Sequence, residues 1–93
     1  MEIASAPQLY FYGRQLQSEK KKAEAIDIYR MVAKRFPNHW IGHIAQARAF
    51  VADGKFEDAI KEVRTSIPDA PANQKQGLEN MVKRLEGKED ING

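Results

Sequence analysis

Apolar positions recur with helical spacing along this 93-residue chain from one end to the other. In "SAPQLYFYGRQLQ" they fall at Leu9, Tyr12, Gly13 and Leu16, steps of three and four that share one helical face. Ser5 with Gln8 three residues on makes a capping box, and Pro7 sits in the first turn, where a missing N–H costs nothing. Consecutive helix residues point about 100° apart. Of the triplet Tyr10-Phe11-Tyr12, the pattern therefore assigns Tyr12 to the core and Tyr10 or Phe11 to an outward face. A second helix, "KKAEAIDIYRMVAKRF", gathers Ala25, Ile28 or Tyr29, Val32 and Phe36.

Pro37-Asn38 breaks that run, and Asn38 is the expected cap of a third helix, "HWIGHIAQARAFVA". Asp53-Gly54 predicts a tight turn before a fourth, "KFEDAIKEVRTSI", which Pro68 and Pro71 end. The fifth, "NQKQGLENMVKRLEG", carries Leu78, Met81, Val82 and Leu85 and stops at Gly87. Five helices with short connections and no strand signal predict an all-α domain.

Sliding the chain by 34 residues aligns Arg14 with Arg48, Lys21 with Lys55, Ala25-Ile26 with Ala59-Ile60, Arg30 with Arg64 and Pro37 with Pro71. Gly13 falls opposite Ala47, so the small residues coincide mid-helix, where a facing helix must come close. Prolines close both units where the next helix must begin.

In this register the chain resembles the tetratricopeptide repeat, whose pattern runs from a large apolar residue through small residues and an aromatic to a closing proline. Leu9, Gly13, Leu16, Ala25, Tyr29, Val32 and Pro37 carry the likeness in the first unit; Ala47, Phe50, Gly54, Ala59 and Pro71 carry it in the second. His43, Val63 and Ser66 depart from it. The resemblance implies two helix-turn-helix hairpins, over 6–39 and 40–73, in a right-handed solenoid. A capping helix over 74–87 and a tail over 88–93 follow. More narrowly, "YGRQL", "AKRFP" and "LEGKEDIN" resemble the C-terminal repeat region of uncharacterised exported bacterial proteins. That likeness implies the tail of a longer, exported or periplasmic protein and no activity; without it the compartment stays open, the cytoplasm included.

Composition removes several alternatives. Charged residues make 30% of the chain and hydrophobic ones 42%, as in a soluble globular domain, and no apolar run reaches the ~20 residues of a membrane span. The net charge is only +2, with both signs interspersed, so no basic face marks a nucleic-acid partner. "EKKKAE" reads as a solvated turn, and "MEIASAPQ" lacks the regions of a leader. With no cysteine there is no disulfide, thiol nucleophile or thiolate metal site.

His39 and His43 are spaced as two ligands on one helical face, but zinc needs three or four, and no third is evident. His43 falls on the packing face opposite Leu9, which argues for a partly buried, hydrogen-bonded side chain; His39 is expected to be exposed. Trp40 is expected to brace its helix near Phe36. Serines 5, 18 and 66 have no triad partners and no phosphate loop is present, so no catalytic residue, cofactor or metal is expected.

The candidate site is a groove. If first helices line a concave surface, Arg14 and Arg48 form a ladder along it, flanked by Tyr10 and Ile44 one turn earlier and Gln17 and Val51 one turn later. Guanidinium groups beside apolar contacts suit a protein or peptide segment bearing carboxylates. The family's lysine-and-asparagine carboxylate clamp is absent, so a chaperone tail is not implied. The alternative is an assembly module that self-associates or steadies an adjoining domain, since two repeats fall below the usual three.

Overall fold

A capping box opens the first helix: Gln8 donates its backbone N–H to Ser5 Oγ at 3.3 Å and returns a carboxamide oxygen to the Ser5 N–H at 2.9 Å. The computed structural model describes residues 5–92; the leader reading of residues 1–4 and the tail's Gly93 lie outside them. From Ser5 the order is α1 (Ala6–Ser18), α2 (Lys22–Arg35), α3 (Trp40–Ala52), α4 (Phe56–Ser66), a 3₁₀ turn (Ile67–Asp69) and α5 (Ala72–Glu86), with no strand among the described residues. The radius of gyration is 12.2 Å, matching the ~12 Å of a compact chain of this length.

Close helix packing rests on two small residues. A Cβ on Gly13 would stand 2.7 Å from the Tyr29 ring, so α1 and α2 meet only because Gly13 has none. At Gly42 a Cβ would stand 1.7 Å from the Phe36 carbonyl oxygen, where α3 starts against the end of α2. Two apolar clusters result. One joins Leu16, Ala25, Tyr29 and Val32 to Ile41 and Ala45 of α3; the other joins Ile44, Ala47, Val51, Ala59 and Val63 to Leu78, Val82 and Leu85 of α5.

The cap of α3 is His39, not Asn38. Pro37 and Asn38 are consumed in a turn closed by a 3.2 Å bond from the His39 N–H to the Phe36 carbonyl. His39 therefore takes the extended cap conformation, and its Nδ1 accepts the Ile41 N–H at 3.0 Å. Tyr12 also departs from expectation. It is half exposed, because Gly13 and Leu16 meet α2 while Tyr10 turns inward against Tyr29, with ring centroids 5.6 Å apart. Phe11 is exposed, as one of the two alternatives had it. The fifth helix starts at Ala72, two residues before its expected 74.

The backbone makes one turn three times. Lys20, Gly54 and Lys88, each 34 residues after the last, all have positive φ. The following N–H bonds back at the same offset: Lys21 to Leu16, Lys55 to Phe50 and Glu89 to Arg84. In this register α5 precedes its turn as α1 and α3 precede theirs, and it ends 34 residues after α3. It nonetheless docks differently from α3. Ile41 and Ala45 seat α3, but their counterparts on α5 are Lys75 and Glu79. α5 turns instead to bury Leu78, Val82 and Leu85, the counterparts of Ile44, Arg48 and Val51, and a fully buried leucine such as Leu85 contributes about 2 kcal/mol.

Candidate functional site: a groove in two halves

Arg48 and Arg14 hold the same register and have opposite surroundings. Arg14 is exposed and donates to Gln17 Oε1 at 3.3 Å. Arg48 is 4% exposed, because the chain following α5 folds back over it. Its Nε donates to the Tyr10 hydroxyl at 2.8 Å, and its Nη1 donates to the Ile91 carbonyl at 2.8 Å and to Asn92 Oδ1 at 3.4 Å. The guanidinium carbon also lies 5.7 Å and 5.3 Å from the Tyr10 and Tyr29 ring centres, within cation–π range.

Gln17 completes this polar half. Its carboxamide oxygen accepts from the Tyr29 hydroxyl at 2.7 Å and from Arg48 at 3.4 Å, while its nitrogen donates to the Ile91 carbonyl at 3.1 Å. Burial pushes the Tyr29 phenol above its ordinary pKa, and the nearby Arg48 charge partly offsets that. Asn92 returns a bond from Nδ2 to the Arg48 carbonyl at 2.8 Å. Asp90 pairs with Lys22 and accepts the Asn92 N–H at 2.9 Å, folding the segment into an Asx-type turn. The hydrogen bond from Lys22 holds the Asp90 carboxyl below its usual range. Ile91, 3% exposed, joins the cluster that contains Val51.

The other half is open and apolar. Tyr10 forms the boundary, since its ring lines a cleft of about 430 Å³ while its hydroxyl holds Arg48. Pro7 and Phe11 of α1 make one wall, Trp40 and Ile44 of α3 the floor, and Gly77, Leu78 and Met81 of α5 the opposite wall. Gly77 stands apart from Gly13 and Gly42: a Cβ there would meet nothing within 4 Å.

Of the six residues expected in the groove, Tyr10 and Ile44 line the open cleft. Gln17 and Arg48 hydrogen-bond to the chain's own tail, Val51 is buried in the cluster that includes Ile91, and Arg14 is exposed and does not line the cleft. The repeat register does not show that the tail packs back onto Arg48, although Ile91, a lone aliphatic residue in a polar stretch, is a signal for it. Nor does it single out Gly77, a mid-helix glycine that no neighbour requires.

The histidines are accounted for locally. His43 Nδ1 lies 3.2 Å from Glu62 of α4, both half-buried, and His39 is the exposed cap of α3. Among the described residues no group of three or more potential ligands forms around them. Trp40 and Phe36 both pack against the cluster shared by α1, α2 and α3, and Trp40 also lines the cleft. No helix of the described residues is long and apolar enough to cross a membrane.

No protein-family model matches this chain, no curated protein matches it, and no solved structure matches it.

Proposed function

We propose that the chain is a tetratricopeptide-type, non-catalytic module that binds a partner protein segment in the groove between α1, α3 and α5. The observation that carries this reading is the cleft of about 430 Å³, walled by apolar side chains and adjoining a cluster of hydrogen-bonding groups. Apolar walls with a few placed polar groups are the usual composition of a binding cleft. The 34-residue recurrence of the interhelical turns supports the repeat assignment.

Gly77→Leu is the discriminating variant. Gly77 lines the cleft and a Cβ there meets nothing within 4 Å, so a larger side chain at this position is expected to obstruct the cleft. Selection from a displayed peptide library should enrich sequences that bind the wild type and fail on Gly77→Leu. No enrichment, or equal binding to both proteins, would remove the reading.

A second reading, an assembly module, has its own support. Ile41 and Ala45 seat α3 on the preceding hairpin, and their 34-residue counterparts on α1 are Pro7 and Phe11. Phe11 is 74% exposed, so among the described residues this face of α1 is left largely uncovered. A second copy or an adjoining helical unit would fit there. Light scattering after size exclusion tests the first option: a dimer that Phe11→Glu dissolves supports it, and a monomer at high micromolar concentration opposes it.

A further inference from the structure

The polar half of the groove is occupied by a segment of this chain. We infer that Asp90-Ile91-Asn92 is a tethered occupant, and that the groove takes from a partner protein a turn of the same chemistry: aspartate, aliphatic residue, asparagine. The inference rests on the groove reading above and specifies its ligand.

Each element of the triplet is met by a different device. Ile91 enters an apolar cluster, and its carbonyl receives Nη1 of Arg48 at 2.8 Å and Nε2 of Gln17 at 3.1 Å. A backbone carbonyl bonded by two side chains is a main-chain contact, open to any segment of the right shape. Asn92, 2% exposed, is read by both its groups: Oδ1 faces Arg48 Nη1 at 3.4 Å, and Nδ2 donates to the Arg48 carbonyl at 2.8 Å. Asp90 reaches Lys22 while its Oδ1 accepts the Asn92 N–H, a double duty that suits the short aspartate side chain and not glutamate.

The tail leaves part of the groove empty. It fills the Arg48 half, and the cleft across Tyr10 stays open. A partner segment with a large apolar residue beside the triplet gains that cleft in addition, which the tail does not reach. This is how an untethered ligand outcompetes a tethered one, whose effective concentration at short tether length is roughly millimolar.

The probe is the peptide Gly-Lys-Glu-Asp-Ile-Asn, residues 87–92, blocked at both ends and labelled for fluorescence anisotropy. It is titrated into the full chain and into full-length Ile91→Ser, whose tail lacks its apolar contact. The variant should bind at least about tenfold more tightly than wild type, because the tethered competitor has been weakened. A peptide with serine for the isoleucine, or glutamate for the aspartate, should bind the variant at least about tenfold more weakly than the parent peptide. Equal binding to both proteins, or none to a variant that melts cooperatively, overturns the inference.

If Ile91→Ser does not melt cooperatively, Asp90→Ala/Asn92→Ala, which removes polar contacts of the tail and leaves every groove residue in place, is used with the same two outcomes. A wild-type chain that exchanges tails into dimers, lost in Ile91→Ser, assigns the site to a second copy and also overturns it. Failure here with library peptides still sensitive to Gly77→Leu removes the ligand and leaves the groove; failure of both removes both.

Discussion

Nη1 of Arg48 donates a 2.8 Å hydrogen bond to the backbone carbonyl of Ile91, 43 residues along the chain. That bond ties the middle of the third helix to the segment beyond the fifth, and it separates two arginines that the repeat register treats as equivalent. Removing Arg48 takes a hydrogen-bond donor from Tyr10, Gln17, the Ile91 carbonyl and Asn92, whereas the Arg14 side chain stands in solvent. Arg48→Ala should cost about 2–4 kcal/mol and Arg14→Ala less than about 0.5 kcal/mol in urea unfolding followed by circular dichroism. Equal effects would contradict the buried network.

Two glycines within helices, Gly42 and Gly77, should order themselves by space. Gly42→Ala drives a methyl group into the Phe36 carbonyl and should cost more than about 3 kcal/mol, a strained-core effect at the high end for one substitution. Gly77→Ala meets nothing and should stabilise by about 0.5–1 kcal/mol through helix propensity alone. Thermal melts of the two variants are enough to check the opposite signs.

Acid should loosen the tail first. The hydrogen bond from Lys22 depresses the Asp90 pKa, so its contribution is present above the ordinary carboxylate value of about 3.9 and is lost as pH falls through the lowered one. Melting temperatures measured down to pH 2 should fall more for wild type than for Asp90→Asn. Parallel profiles would mean that the pair does not hold the tail.

At the alkaline end the sign reverses. Burial raises the Tyr29 phenol, so the unfolded chain ionises near pH 10 while the folded one stays neutral. The stability it supports is present below about pH 10 and is lost as pH rises through the elevated value. Tyr29→Phe should show a flatter stability profile above pH 10 in chemical denaturation.

Much of the helical order was legible because each end carries a local signal: Ser5 with Gln8, Pro37, Asp53-Gly54 and Gly87. The small residues Gly13 and Ala47 were legible for the same reason, since close approach leaves a mark in one position. Asn38 and Tyr12 were misread because the outcome depended on neighbours: the turn took Asn38, and Tyr10 won the place against Tyr29. The groove was legible only in part. A 34-residue register equates Arg14 with Arg48, and nothing in that equation shows that Asp90, Ile91 and Asn92 cover one of them. Nor does it show that α5 turns Leu78, Val82 and Leu85 inward where a continued ladder would present them. These are contacts between distant segments, set by packing rather than by local pattern.

Nuclear magnetic resonance mapping of a library-selected peptide tests the central claim most directly, because it reports where on the molecule the partner sits. Amide shifts on titration should concentrate at Tyr10, Ile44, Gly77 and Met81, the residues facing the open cleft, and should vanish in Gly77→Leu. Shifts confined to the outer face of α1 around Tyr12 and Gln15, and unchanged in Gly77→Leu, would contradict the account.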